Sequence, residues 1–207
     1  MQKGDLTVAQ REAMQPSFPS VWRTLRDALM KINHLNFAVP VAGRPDDLGA
    51  QTRVCERQFC YELYHQLRIG FGDATCVGAE IHKGRHPIIR WKRIPDLLIH
   101  GFGHMDRNFC VIEIKPASSR KSFKKDAETL KKFVSRWYYS GILLVFGEEG
   151  NQDPIEKARQ EIAGLEELGI YVLWIREPRG QIYAIRPAGP RHKIGRDPYL
   201  LSWRPAQ

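Results

Sequence analysis

The stretch that decides the fold, residues 94–115, is IPDLLIHGFGHMDRNFCVIEIK. Two apolar runs flank a polar, glycine-containing turn, a pattern that predicts two β-strands. Side chains alternate between the faces of a strand, so Glu113 and Lys115 are neighbours on one face. Asp96 enters the preceding strand, and we expect its carboxylate to lie near Glu113 if the two strands pair. The stretch therefore predicts two carboxylates and an amine gathered on a buried sheet.

Length and composition indicate the class of protein. The chain has 207 residues, and its 32 lysines and arginines against 23 aspartates and glutamates give a net charge of +9. Such a length favours one domain with extensions, and such a charge favours a polyanionic partner such as nucleic acid. The four cysteines form no CxxC pair, so no zinc site is expected. Without a signal segment or a membrane-length apolar run, we expect a soluble, cytoplasmic protein with no membrane partner.

The order of elements along the chain indicates an α/β fold. We expect an N-terminal helical extension and linker over residues 1–50, an α/β core over 51–186 and a basic tail over 187–207. The core begins with a helix from about Thr52 to Arg68, and a second helix follows Lys115. The strands are expected at Thr75 to His82, Pro95 to His100, Phe109 to Lys115, residues 141–147, Tyr171 to Ile175 and Gln181 to Ile185. The run at 141–147, GILLVFG, is apolar throughout and is expected in the middle of the sheet.

The residue types at the opening stretch indicate metal-dependent chemistry on phosphate. Carboxylates such as Asp96 and Glu113 are ligands that suit Mg²⁺ or Mn²⁺. The cation would polarise a phosphoryl group and supply the attacking water. The ammonium of Lys115 would favour hydroxide and neutralise charge that builds up on the phosphate. An ordinary Glu–Lys pair on a solvated strand is the alternative, but it does not account for Asp96.

These residues resemble the motif of the PD-(D/E)XK nuclease superfamily, the restriction-endonuclease-like fold. Pro95 and Asp96 are similar to its PD element, and Glu113, Ile114 and Lys115 are similar to its (D/E)XK element. The predicted order of helix, three strands, helix and strand is similar to the family's αβββαβ core. The resemblance implies a mixed sheet flanked by helices, here with an N-terminal helical extension. It also implies Asp96, Glu113 and the Ile114 carbonyl as metal ligands and Lys115 as the water-activating amine.

The resemblance points to further acids. Members often add one from the first core helix, where Glu56 and Glu62 compete. We favour Glu56, which lies on the flank of the apolar stripe one turn before Phe59. Glu62 is the alternative, and the acid that does not reach the site is then an ordinary surface glutamate. Glu80 lies in the first predicted strand and is a candidate catalytic acid and ligand at a second metal position.

Basic residues are concentrated next to the motif. The predicted nucleic-acid contacts are Lys83, Arg85, Arg90, Trp91, Lys92 and Arg93, in an acid-free run before Asp96, together with Lys124 and Lys125 on the following helix. Phosphate contacts of this kind give affinity without sequence choice, and Trp91 can stack on an exposed base. Solvated helix faces carry the same pattern. His82, His86, His100 and His104 are expected to be groove or loop residues rather than metal ligands.

The sequence therefore predicts a Mg²⁺-dependent nuclease, with Mn²⁺ as an alternative cation and DNA as the first candidate substrate. RNA, endonuclease against exonuclease action, and a homodimer are left open. The rival interpretations are a non-catalytic nucleic-acid-binding protein on the same fold and a protein-interaction domain whose acids form ordinary salt bridges. A small-molecule enzyme is disfavoured because the chain has no GxGxxG or P-loop motif.

Overall fold

The structure, a computed structural model, describes residues 18–41, 51–72, 75–80, 94–101, 108–119, 121–136, 140–148, 152–162, 164 and 167–185. The helices are α1 (Phe18–Leu29), α2 (His34–Phe37), α3 (Glu56–Phe71), α4 (Lys124–Arg136) and α5 (Pro154–Glu161). The strands are β1 (Val39–Val41), β2 (Gln51–Arg53), β3 (Cys76–Ala79), β4 (Leu97–His100), β5 (Asn108–Pro116), β6 (Ser140–Phe146), β7 (Ile170–Ile175) and β8 (Ile182–Ile185). The predictions for the basic run from Lys83 to Arg93 and for the tail from residue 187 lie outside the described residues.

A six-stranded mixed sheet forms the centre of the molecule, with the strand order β3-β4-β5-β6-β7-β8. Strands β3, β4 and β5 form an antiparallel meander. Strands β5, β6 and β7 run parallel, so α4 and α5 lie in the connections between them. The final strand β8 is antiparallel to β7. The α/β class with a mixed sheet and helices is confirmed, whereas membership of the restriction-endonuclease-like fold stays a prediction.

The apolar run of β6 lies between β5 and β7, and every residue of the strand is buried. A strand covered on both faces has no solvent side, so it shows no alternation of apolar and polar residues. This confirms the predicted central strand.

Two apolar cores cover the two faces of the sheet. On one face, α1 and α3 pack against the sheet through residues such as Trp22, Phe59 and Leu63. On the other face, α4 and α5 pack through residues such as Leu130 and Ile155. The helix of the predicted N-terminal extension therefore shares a core with the predicted α/β core. None of the described helices is long and apolar enough to cross a membrane.

The structure differs from the sequence-based expectations at several boundaries. The predicted linker, which ends at residue 50, contains β1, which pairs with β2 to form a two-stranded ribbon. Helix α3 begins at Glu56 rather than near Thr52, because residues 51–53 are taken up by this ribbon. Phe109 packs in the same core as its neighbour Cys110, although strict alternation separates them. A register irregularity in the pairing of β4 with β5 interrupts the alternation at this end of the strand.

Candidate active site

Strand pairing brings the two motif acids together at one end of the sheet. The register of β4 and β5 pairs Leu97 with Ile112 and Leu98 with Val111. Extended by one residue, it sets Asp96 opposite Glu113, and directly opposite residues share a face with their Cβ atoms about 5 Å apart. Leu98 and Val111 belong to the core beneath α4, so both acids face that helix at the end of the core.

A hydrogen bond joins the two halves of the motif. The backbone N–H of Ile114 donates to Oδ2 of Asp96 at 2.6 Å. In an extended strand, the N–H and C=O of one residue point to the same side, so the Ile114 carbonyl also faces the entrance to β4. The extended register sets Pro95 opposite Ile114, and proline has no N–H to donate to that carbonyl. This carbonyl is therefore suitably placed for the ligand role that the resemblance implies.

Both acids resist ionisation in the folded protein. Glu113 is only 6% exposed, and burial, together with the carboxylates of Asp96 and Asp126, raises its pKa to about 9. Burial raises the pKa of Asp96 to about 6, although the Ile114 N–H and the Lys115 ammonium oppose this shift. The Lys115 ammonium does not offset the burial of these acids, and a bound cation would favour the ionised form of both.

Lys115 lies between two further acids. Its Nζ is 3.4 and 3.3 Å from the two carboxylate oxygens of Glu56 and 3.9 Å from Oδ1 of Asp126. Burial alone would lower the pKa of Lys115, but these carboxylates and Asp96 outweigh it and raise the pKa above its ordinary value. Lys115 is therefore a cation at neutral pH, and it is suited to electrostatic stabilisation rather than to proton abstraction.

Helix α3 directs Glu56 towards the sheet. Glu56, Cys60, Leu63 and Leu67 follow one another at steps of four, three and four, which puts them on one helical face. Glu62 lies on a different face and accepts a 2.8 Å hydrogen bond from Gln66. The structure thus brings Glu56, and not Glu62, to Lys115.

The buried side chain of Cys60 packs against the backbone of Asp96. Its Sγ lies 4.0 Å from the carbonyl oxygen of Asp96. Burial, followed by the nearby carboxylates of Asp96, Glu80, Glu56 and Glu113, raises the pKa of the Cys60 thiol to about 12. The thiol is therefore neutral at physiological pH and contributes packing rather than nucleophilic chemistry.

Glu80 contacts Asp96 through its backbone. It follows the last residue of β3 with a positive φ of 46°, and its N–H donates to the Asp96 carbonyl at 3.1 Å. Its carboxylate lies 3.6 Å from Arg57, and both side chains are largely exposed. The expectation that Glu80 continues the strand is wrong, because β3 ends at Ala79 and the left-handed backbone turns the chain there.

Sequence reasoning missed Asp126. This acid is in the first turn of α4, where it lies next to Lys115 and raises the pKa of Glu113. An acid in a first turn is ordinarily explained by the helix dipole, so its residue type alone does not mark it as part of a site. The short connection from β5 to α4 was the available signal. Lys124 and Lys125, two predicted nucleic-acid contacts, are exposed at the same end of α4.

The donor set fits a hard divalent cation. Among the described residues, no three His, Cys, Asp or Glu side chains form a group that could hold a metal ion. Mg²⁺, however, is commonly held by one or two carboxylates with water and substrate oxygens, and Asp96, Glu113 and the Ile114 carbonyl supply oxygen donors alone. The ring of His100, at the far end of β4, bonds the carbonyl of Gly101 at 3.2 Å.

The arrangement can hold a cation and a substrate phosphate beside a fixed ammonium group. Oxygen ligands beside the ammonium group of a lysine suit hydrolysis of phosphate esters. The chain matches no protein-family model, no curated protein and no solved structure.

Proposed function

We propose that this protein is a Mg²⁺-dependent nuclease of the PD-(D/E)XK type that hydrolyses phosphodiester bonds, with DNA as the first substrate to test. One observation carries the proposal: Asp96 and Glu113 lie opposite each other at the end of paired strands, with the Lys115 ammonium beside them. Acids with raised pKa values in such a cluster are typical of functional sites.

The residues take distinct roles. Asp96, Glu113 and the Ile114 carbonyl would hold the cation. Mg²⁺ bound there would polarise the phosphoryl group and offset its developing negative charge. Glu56 and Asp126 keep Lys115 protonated and fix its position. Its N–H groups can then donate to a phosphate oxygen or orient a water molecule without any rearrangement during the reaction.

The surface around the site favours a nucleic-acid substrate. Lys124 and Lys125 are exposed at the start of α4, which also contributes Asp126 to the site. The whole chain has a net charge of +9, and phosphate contacts by such lysines depend strongly on salt. Contacts between such lysines and the phosphate backbone give affinity for nucleic acid of any sequence.

A non-catalytic nucleic-acid-binding protein is the second candidate. It is favoured because the charged groups of the site already have partners within the protein. Asp96 accepts from Ile114, and Lys115 lies between Glu56 and Asp126. A network of this kind can stabilise a fold without any ligand. In that case the protein would bind nucleic acid and leave it intact.

A cleavage assay separates the two candidates. Labelled single-stranded DNA, duplex DNA and RNA would be incubated with the full chain in Mg²⁺, in Mn²⁺ and in EDTA. We expect metal-dependent cleavage that falls about 100-fold or more in Asp96→Asn, Glu113→Gln and Lys115→Met. Glu156→Gln, an exposed acid on α5 that pairs with Arg159 outside the site, is the control and should keep full activity. Salt-sensitive binding without cleavage of any substrate would favour the second candidate.

A further inference from the structure

An open groove of about 450 Å³ runs along the first two turns of α3. Its lining residues are Asn36, Cys55, Arg57, Gln58, Tyr61 and Glu62. Glu56, which contacts Lys115, belongs to the same first turn as Arg57 and Gln58, so the groove lies next to the candidate active site along α3. Its volume is in the range of pockets that hold small ligands.

The outward face of α3 presents an aromatic ring and a guanidinium group to this groove. Arg57 and Tyr61 are four residues apart, so they are neighbours on the helix surface. Tyr61 is 49% exposed and the Arg57 side chain is 70% exposed, whereas Phe59 and Leu63 on the inward face are fully buried. The inward face of α3 therefore packs in the core, whereas the Tyr61 ring on the outward face lies outside the core.

The remaining polar groups suit a base edge and a phosphate. Gln58 donates to Oδ1 of Asn36 at 3.3 Å, and the carbonyl oxygen of the Gln58 amide lies outside this bond. Arg57 pairs with Glu80 at 3.6 Å, but an ion pair so exposed contributes little to stability. Its guanidinium can therefore exchange this carboxylate for the two oxygens of a phosphate.

We propose that the groove binds one unpaired nucleotide of the substrate, with its base stacked on Tyr61 and its phosphate on Arg57. The proposal rests on the nuclease function proposed above and specifies its substrate class. An unpaired base is required because a base inside a duplex already has both faces covered by its neighbours. The carboxylates of Glu62 and Glu80 repel phosphate, which confines the phosphate to the Arg57 end of the groove.

Binding measurements on the full chain test the proposal. Fluorescence anisotropy in EDTA would compare a labelled single-stranded oligonucleotide with the matching duplex, so that no cleavage occurs. Tyr61→Ala should weaken single-strand binding about 5- to 100-fold through the lost stacking, while Tyr61→Phe should bind within about twofold of the wild type. Arg57→Gln should weaken binding and reduce its salt dependence by about one phosphate contact. Ile69→Ala, an exposed position on α3 outside the groove, should change nothing.

The outcomes separate this proposal from the nuclease function. If Tyr61→Ala binds single strands as tightly as the wild type, or loses duplex and single-strand affinity equally, the groove proposal is overturned. If Asp96→Asn then still loses cleavage, the nuclease function stands without it. Selective loss of single-strand binding in Tyr61→Ala, in a protein that cleaves nothing, would support the groove and refute the nuclease.

Discussion

Asp96 accepts a 2.6 Å hydrogen bond from the backbone N–H of Ile114, the residue that separates Glu113 from Lys115. The bond joins the acid at the entrance to β4 with the acid and the amine at the end of β5. A charge-assisted bond of this kind contributes about 1.5–3 kcal/mol when the acceptor is ionised. It occupies Oδ2 and fixes the side chain, so Oδ1 is held in a defined direction for a second partner.

Two substitutions of Asp96 should distinguish its contribution to stability from its contribution to cleavage. Asp96→Asn keeps a carbonyl oxygen for the Ile114 N–H and should unfold at nearly the wild-type urea concentration while losing cleavage. Asp96→Ala leaves that partly buried N–H without its acceptor and should lower the free energy of unfolding by about 1–3 kcal/mol. Urea denaturation at neutral pH measures both. Equal stability of Asp96→Ala and the wild type would contradict a role for this bond.

Glu113→Gln should alter the dependence of stability on pH. Burial and nearby carboxylates raise the Glu113 pKa from 4.5 to about 9, so between these values the folded protein binds more protons than the unfolded chain. The free energy of unfolding should therefore fall as the pH rises through this window, by up to about 1.4 kcal/mol per pH unit.

The variant lacks this titration and should be more stable than the wild type near pH 8, with a flatter profile. Thermal unfolding from pH 5 to pH 9 in EDTA measures the difference. Asp96 titrates in both proteins and contributes in the same direction up to about pH 6, so the two profiles should converge only towards pH 4.5, the ordinary pKa of Glu113. Parallel profiles over the whole range would show that Glu113 ionises as readily in the folded state as in the unfolded one.

Mg²⁺ and Mn²⁺ should stabilise the protein, and more so near pH 8 than near pH 6. The cation binds the ionised form of Glu113 and must displace its proton, so binding becomes tighter as the pH rises. A cation at about 100 times its Kd adds about 2.7 kcal/mol to the free energy of unfolding. Melting temperatures in Mg²⁺ and in NaCl of matched ionic strength measure this effect. Glu62→Gln should retain the stabilisation, and its persistence in Glu113→Gln would place the cation elsewhere.

Lys115 and Asp126 should be coupled energetically. Lys115→Met removes a cation that lies 3.9 Å from the Asp126 carboxylate, which is itself only 13% exposed, and should destabilise the fold by about 1–3 kcal/mol. Asp126→Asn in that background should restore part of the loss, because the unpaired buried charge is then gone. A double-mutant cycle by urea denaturation gives the coupling, expected at about 0.5–3 kcal/mol. Additive effects would mean that the two groups act independently.

The local sequence pattern was sufficient to predict features that lie within a single strand or helix. Alternation along β5 put Glu113 next to Lys115, and an aspartate directly before a proline is a typical start of a helix, as at Asp153, which accepts from the N–H groups of Ile155 and Glu156. Both features depend on neighbours within a few residues. The sequence could also name Glu56 as a candidate, because its helical phase is a local property.

Features that depend on tertiary contact were not predictable. Asp126 reaches Lys115 only because α4 begins beside the end of β5, and a first-turn acid has an ordinary explanation from the helix dipole. The end of β3 at Glu80 does not follow from alternation, because the backbone there has a positive φ of 46° while its N–H still bonds the Asp96 carbonyl. Strict alternation misplaced Phe109 because it takes no account of the irregular pairing near His100.

The position of Asp126 depends in turn on hydrogen bonds made by two side chains of α5. Oε2 of Glu161 accepts from the Phe123 N–H at 2.6 Å and from the Ser122 hydroxyl at 2.9 Å, directly before α4. One turn earlier in α5, Lys157 donates to the carbonyls of Ser119 and Lys121 at 2.9 and 3.1 Å. These bonds fix the segment that leads from β5 into α4.

Glu161→Ala should therefore act on the site from a distance. The lost acceptor for the Phe123 N–H is comparable to the loss of a helix cap and should lower the free energy of unfolding by about 1–2 kcal/mol. Because α4 then begins less rigidly, Asp126 holds Lys115 less firmly, and cleavage should fall while substrate binding is kept. Glu161→Gln retains an acceptor oxygen and should recover most of both properties. The control is Arg159→Ala, which removes only an exposed pair with Glu156 on the same helix. Wild-type melting and cleavage in Glu161→Ala would show that the start of α4 is fixed without the hydrogen bonds to Glu161.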